Sequence, residues 1–265
     1  MLTDTDLDTA HVPAVARAED TVGLRPHHPA AYAARLAIAP SVAQRCYAPL
    51  RRALDFTAAL TLMAFLAPIL ALVALLVRMT SRGPALYTQV RTGRGGREFT
   101  IYKIRTMVDN CESLTGPRWT MPGDPRITPV GWVLRRTHLD ELPQLFNVLK
   151  GEMSLIGPRP ERPEFVATLQ RVLPGYAMRH DVLPGITGLA QVQLPPDTDI
   201  DSVRNKLEYD LYFVRRWGLW LDLRICVATA LHICGVSFER LRRWRIVPAP
   251  AAAQEPALLL HRQAA

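Results

Sequence analysis

The feature that most constrains this chain is a run of 22 residues without a charge, Phe56 to Val77, reading FTAALTLMAFLAPILALVALLV. As an α-helix it is about 33 Å long, enough to cross a hydrocarbon core of about 30 Å. A run this long and apolar fits lipid better than the core of a soluble domain. Pro68 stands near its middle, where proline removes a backbone hydrogen bond and favours a kink. Both flanks are basic, with Arg51 and Arg52 before the run and Arg78 and Arg82 after it. The positive-inside tendency draws both flanks to the cytoplasmic side. A helix that enters, bends at Ala67-Pro68 and returns satisfies them. A spanning helix with a tolerated proline fits the same residues about equally well. The run begins too far along for a signal peptide and lacks a cleavage pattern.

The rest of the chain carries enough apolar residues for a core. Of 265 residues 49% are hydrophobic and 21% charged, which excludes a disordered chain and a disulfide scaffold. Thirty-two Lys and Arg against 24 Asp and Glu leave a net charge of +8, which calls for acidic partners: nucleic acid, anionic lipid or phosphorylated substrates. No RNP-like block, zinc finger or basic zipper is present, and the apolar run argues against nucleic acid. Cys46, Cys111, Cys226 and Cys234 form no C-x-x-C pair and are expected to be reduced, mostly buried thiols of a cytosol-facing protein.

The chain divides by composition. Residues 1–45 mix Asp, Thr, Ala and Pro without a period and read as a weakly ordered extension, with an interfacial helix expected over Pro40 to Arg52. Residues 46–82 hold that helix and the apolar one. Residues 83–247 read as a small α/β domain, mainly α, and 248–265 as a flexible Ala/Pro-rich tail. Within the domain, Ala85 to Val90 and Glu98 to Ile104 have strand character around a glycine turn. Thr137 to Lys150 has helical spacing, with Leu139, Leu142, Leu145, Phe146 and Leu149 on one face and Gly151 as its stop. Gly157 to Pro160 reads as rigid and extended, and Pro184 to Gly188 as a turn. Helices are expected over Leu207 to Trp217 and Leu219 to Val236. The second carries Trp217 and Trp220 at its start and Arg240, Arg242, Arg243 and Arg245 beyond its end. That pattern suits a membrane–water interface and ordinary amphipathic packing about equally.

The densest chemistry lies in Arg135-Arg136-Thr137-His138-Leu139-Asp140-Glu141. Two adjacent carboxylates follow two arginines at the expected start of a helix, where phosphate is favoured beside Asp140. Paired carboxylates can hold a divalent cation or raise one partner's pKa. An aspartate can also attack phosphorus and form an acyl phosphate. Taken alone, the pair is better read as structural, with Asp140 capping the helix and Glu141 complementing its dipole. Arginines in proline-rigid loops recur nearby, at Arg126 and Arg159, and suit bidentate phosphate contacts.

These residues fall in blocks that resemble the bacterial sugar transferases, the monotopic polyprenyl-phosphate phosphoglycosyl transferases. The blocks are Tyr102-Lys103-Ile104-Arg105-Thr106-Met107, Asp124-Pro125-Arg126-Ile127-Thr128, Leu139-Asp140-Glu141-Leu142-Pro143-Gln144-Leu145 and Asn147-Val148-Leu149-Lys150-Gly151. Met153 to Pro160, Pro184 to Gly188 with Ala190-Gln191-Val192, Tyr209 to Tyr212 and Leu221 to Leu223 follow in order. The resemblance spans about Leu50 to Val236. It implies transfer of a sugar 1-phosphate from a UDP-sugar to undecaprenyl phosphate with release of UMP, the first membrane step of exopolysaccharide, capsule or glycoconjugate synthesis. It implies Asp140 as nucleophile and Glu141 as its helper, the two together holding Mg²⁺. It implies Arg135 and Arg159, with Lys103, Arg105 and Arg126, as phosphate-binding residues, and Pro158 and Gln191 at the nucleotide-sugar site. It turns the apolar run towards a re-entrant helix broken at Ala67-Pro68. The small cytosolic catalytic domain then sits on that helix and on interfacial amphipathic helices, at the cytoplasmic face of a bacterial inner membrane.

The implied partners are a UDP-sugar, undecaprenyl phosphate and membrane lipids, without nucleic acid, and with homo-oligomerisation left open. His138, Leu189, Glu152 and Ala67 depart from residues common in the family, which leaves the sugar undefined. Without the spanning helices of larger relatives, the chain reads as a minimal catalytic unit. The rival reading is a non-catalytic, membrane-anchored scaffold that binds anionic lipid, for which Asp140 is dispensable.

Overall fold

The computed structural model describes residues 38–113, 116, 120, 121, 123–197 and 199–248. The expected extension up to residue 37 and the tail beyond 248 lie outside them. One helix, α1, runs over Val42–Thr80. It opens on a capping box in which the Ser41 hydroxyl accepts from the Gln44 N–H and the Gln44 side chain accepts from the Ser41 N–H. The interfacial helix and the apolar helix expected as two elements are therefore one, and helix begins inside the stretch read as weakly ordered.

The break expected at Ala67-Pro68 is not a break in helicity, since the chain stays α-helical through both residues. Proline forfeits one bond of the ladder. Packing on either side outweighs that loss. Arg51, Asp55, Ala59 and Val77 are buried, and Met63, Leu70, Val73 and Ala74 pack beside them. These positions recur at helical spacing and form one stripe facing the rest of the protein. The other faces are open: Phe65 and Met79 are each 76% exposed and Leu72 68%.

After α1 comes a hairpin of β1 (Leu86–Thr92) and β2 (Glu98–Ile104), antiparallel in the register Leu86 opposite Ile104 to Thr92 opposite Glu98. Then follow α2 (Pro129–Thr137), a 3₁₀ turn (Leu139–Gln144), α3 (Leu145–Lys150) and β3 (Ser154–Ile156). The single helix expected over Thr137 to Lys150 is thus a 3₁₀ turn and a short α-helix, because Pro143 has no N–H to extend an α-helical ladder. Next are α4 (Pro163–Val172), a 3₁₀ turn (Tyr176–Asp181) and β4 (Gly185–Thr187). Where a turn was expected at Pro184 to Gly188, β4 pairs in parallel with β3. Gly185 is required there, since a Cβ on it lies 2.0 Å from the Gly157 nitrogen.

The chain ends in α5 (Ile200–Arg216), α6 (Leu219–Ile233) and α7 (Phe238–Arg243). Mainly helical with two small sheets, the fold buries its largest core between β3, α5, α6 and α7, around Leu189, Phe213, Ile225 and Leu241. A second core joins α4 to α5, and two smaller ones seat α1 against β2, α2 and α3. All four cysteines are free, but Cys46, Cys226 and Cys234 are exposed and Cys111 half-buried, against the expected burial. Cys46 and Cys226 lie on the outward faces of their helices, and Cys234 caps the C-terminal end of α6.

Candidate active site

Thr128 caps α2 by accepting from the Gly131 N–H at 2.9 Å, and Pro129 fills the first helical position. Gly131 lets α2 lie directly on the chain leaving β2: a Cβ there falls 1.9 Å from the Thr106 carbonyl oxygen. This approach sets Arg135, whose Nε donates to the Thr106 hydroxyl at 2.8 Å. His138, in the left-handed region at φ 57°, ends α2 and turns the chain into the 3₁₀ segment. Asp140 and Glu141 occupy its first turn. The long helix start expected to favour anions here is only this short turn. The positive potential at the pair comes from side chains instead.

Those side chains divide the acid pair. Glu141 is held on both oxygens. Lys103 from β2 donates to Oε1 at 2.9 Å, and Arg159, from the loop after β3, donates from Nη1 to Oε2 at 3.0 Å and from Nη2 to Oε1. Burial alone raises the Glu141 pKa, but Arg159 and Lys103 hold the carboxyl well below its ordinary range. Asp140 is only 7% exposed. Among the described residues its carboxylate makes no hydrogen bond and no ion pair under 4 Å. Burial, with the negative charge of Glu141, pushes its pKa up to about 6 against the pull of Lys103, Arg135 and Arg159. Lys103 and Arg135 are both lowered, chiefly by burial. The result is a buried carboxylate left free for chemistry, beside three cations and a carboxylate already neutralised.

Among the described residues no three metal-ligating side chains converge. On Glu141, Oε1 takes two donors and Oε2 only one, which leaves lone-pair capacity on Oε2, while the Asp140 oxygens accept from none of the described residues. That donor set fits Mg²⁺ as an ion held by one or two carboxylates together with phosphate oxygens and water, its usual manner of binding.

The other expected site residues are placed differently. Arg105 donates from Nε to the Pro84 carbonyl at 2.6 Å and from Nη2 to those of Ser81 and Gly83 at 3.2 Å each, tying the exit of α1 to β1. Arg126 is chelated by Asp124 at 2.6 to 3.1 Å. Pro158 is buried, with its carbonyl accepting from the Gly185 N–H at 2.9 Å. Gln191 donates to the Ile186 carbonyl at 2.8 Å. Sequence reasoning overlooked Arg91 and Arg179 and gave no role to Asp210 of the Tyr209 to Tyr212 block, though these residues surround the Arg159 loop. The available signal was a charge set among apolar residues in Leu207 to Leu211.

The family model for bacterial sugar transferases matches residues 46–235. Over 183 residues the chain is 45% identical to a UDP-N-acetylgalactosamine-undecaprenyl-phosphate N-acetylgalactosaminephosphotransferase of Aeromonas hydrophila, covering 69% of this chain and 43% of that one. It is 44% identical over 184 residues to an undecaprenyl-phosphate glucose phosphotransferase of Komagataeibacter xylinus, covering 68% and 35%. It is also 44% identical over 183 residues to a UDP-glucose:undecaprenyl-phosphate glucose-1-phosphate transferase of Caulobacter vibrioides, covering 68% and 67%. The chain spans less than half the length of the first two. The matched block contains the acid pair and all three of its cations, and the chain belongs to the bacterial sugar transferase family.

Proposed function

We propose that the protein transfers a sugar 1-phosphate from a UDP-sugar to undecaprenyl phosphate through a phosphosugar–aspartate intermediate. The observation that carries this reading is the division of the acid pair: Glu141 is bound by Lys103 and Arg159, while Asp140 is buried and free. A carboxylate oxygen of Asp140 attacks the sugar-bearing phosphorus. The bond from that phosphorus to the bridging oxygen breaks, and UMP leaves. A phosphate oxygen of the lipid then attacks the same phosphorus, the acyl-phosphate bond breaks, and the Asp140 carboxylate is restored. Burial strips Asp140 of solvation and so strengthens it as a nucleophile, and its pKa near 6 leaves it mostly ionised at neutral pH. Arg135, Lys103 and Arg159 stabilise charge on the equatorial oxygens. Glu141 holds Lys103 and Arg159 in place. Asp140 and Glu141 would hold Mg²⁺, which when bound would supply further charge neutralisation to the leaving group.

The lipid substrate places the reaction at a membrane, on the cytoplasmic face of the bacterial inner membrane in this reading. The exposed apolar faces of α1 suit hydrocarbon. Its near end (Arg51, Asp55, Ala59) and its far end (Val73, Val77) both pack against one small domain, which supports a helix that dips into the bilayer and returns. On α6, Leu219, Trp220, Leu223 and Val227 point outward, as an interfacial helix requires.

The test uses the full chain in nanodiscs with Mg²⁺, undecaprenyl phosphate and a panel of UDP-glucose, UDP-galactose and their N-acetylated counterparts. UMP release with one donor is expected. Donor labelled at the sugar-bearing phosphate, given without lipid acceptor, is expected to leave label on the native protein and none on Asp140→Asn. Silence across the panel from folded protein points to the lipid-binding scaffold, and equal activity in Asp140→Asn removes the nucleophile.

A further inference from the structure

The loop that carries Arg159, Gly157-Pro158-Arg159-Pro160, is poorly equipped to hold itself. Its two prolines have no N–H, so it is anchored from outside mainly through its carbonyls. Three consecutive carbonyls are each taken by a donor from a different element. Pro158 accepts from the Gly185 N–H of β4 at 2.9 Å, Arg159 from Nη2 of Arg179 at 2.9 Å, and Pro160 from Nη1 of Arg91 on β1 at 3.1 Å.

The middle anchor is the most heavily built. Arg179 is 4% exposed, and each of its guanidinium nitrogens is used. Nε and Nη2 donate to Asp210 Oδ2 at 3.0 and 2.7 Å, and Nη1 donates to the Tyr176 hydroxyl at 3.1 Å. Nη2 alone is shared with the Arg159 carbonyl. Asp210 and Tyr176 are 3% exposed. A buried arginine–aspartate pair gains little stability over apolar residues of the same volume. What it supplies is direction, since the planar fork, fixed on one edge by Asp210, can present its remaining N–H along one line only.

We infer that Arg179, oriented by Asp210, is a positioning residue that fixes the backbone of Arg159 and through it the cation that divides the acid pair. Arg179 touches the Arg159 peptide oxygen and acts through that residue. The inference deepens the transferase reading and rests on it for the role of Arg159.

The experiment is a kinetic double-mutant cycle on the full chain in nanodiscs, with Arg179→Lys and Arg159→Ala singly and together. UMP release is measured with the donor the native protein uses. Hydrogen exchange is followed in peptides covering 155–163 and, as a control, the β1–β2 hairpin. Arg179→Lys keeps the charge and loses the fork. It is expected to lower kcat/KM by about 10- to 100-fold, the range a small displacement of a positioned group costs. In the Arg159→Ala background the same change is expected to cost less than about twofold, because residues acting as a unit are not additive. Faster exchange confined to 155–163 is expected in Arg179→Lys. Multiplicative losses, or a single variant within about twofold of native, overturn the inference. Should Arg179→Lys not fold, Asp210→Asn runs the same cycle, keeping the volume while weakening the clamp. A native protein that releases no UMP with any donor counts against the transferase reading alone. Exchange in 155–163 then decides the positioning role, which is rejected if the loop is no looser in the variant.

Discussion

Asp140 and Asp222 are both buried, both have pKa values raised to about 6 chiefly by burial, and are bonded in opposite ways. Asp222, on α6, accepts from the Tyr47 hydroxyl at 3.2 Å and pairs with Arg51 Nε at 2.9 Å. Arg51 also donates to the Ile156 carbonyl and lies over the Phe213 and Trp217 rings, while Asp55 accepts from the Leu155 N–H at 3.1 Å. Together these contacts clasp the base of α1 to β3. Asp140 has the same raised pKa and no bonded partner among the described residues. A shifted pKa therefore does not identify a reacting group here. Freedom from bonded partners among the described residues, beside Lys103, Arg135 and Arg159, separates the proposed nucleophile from the clasp.

The comparison breaks most visibly if each side is removed in turn. Asp140→Asn is expected to lower UMP release by about 10³-fold or more while raising stability at neutral pH. Holding an ionised carboxylate whose pKa has risen from 3.8 to about 6 costs the fold about 3 kcal/mol. The sign follows from proton uptake. Between those two values the folded state holds a proton that the unfolded state releases, so this cost shrinks as pH falls through 6. The Tm of native protein should accordingly gain more between pH 7 and pH 5 than that of Asp140→Asn. Arg51→Ala is the reverse case. It strands Asp222 in a buried site, with an expected loss of about 3–5 kcal/mol in urea or thermal unfolding. Its kcat/KM, measured on the folded fraction, should stay within about threefold of native, since Arg51 touches no member of the catalytic turn.

Glu141→Gln sharpens the contrast through pH. Attack requires ionised Asp140, so kcat/KM in the native protein is expected to fall tenfold per pH unit below an apparent pKa near 6. Glu141 is the charge that helps raise it. Removing that charge leaves Lys103 and Arg159 unopposed beside Asp140, and the acid limb should move to lower pH. The plateau should drop by about 100-fold, as two cations lose the carboxylate that orients them. An unmoved limb would mean that burial alone sets the Asp140 pKa.

Sequence made some of this legible and hid the rest for physical reasons. Asp140, Glu141, Lys103 and Arg159 come from ordered blocks and Arg135 from five residues before Asp140, and the structure gathers them at one turn. Arg105, just after β2, and Arg126, in a proline-containing loop, carry the same charge, yet most of their donors go to local carbonyls and to Asp124. Sequence spacing cannot separate a spent cation from a free one. Arg179 and Asp210 are 31 positions apart, and Arg51 and Asp222 further still. Pairs made only by folding leave no periodic trace. The unbroken apolar run revealed the membrane part of α1, but its continuity through Pro68 depends on packing against β2 and α2 that no local pattern encodes.

Tyr47→Phe is the smallest change and decides which aspartate the kinetics report. It removes the hydroxyl that donates to Asp222 and leaves the ring, with an expected cost of about 1 kcal/mol in unfolding. That hydrogen bond favours the ionised form, so its loss raises the Asp222 pKa further, and the stability gained on acidification begins at a higher pH. The acid limb of kcat/KM should stay in place, because it belongs to Asp140. If the limb moved with Tyr47→Phe and not with Glu141→Gln, the titrating group would be the clasp. The reaction would then depend on how α1 is seated, with Asp140 titrating unseen.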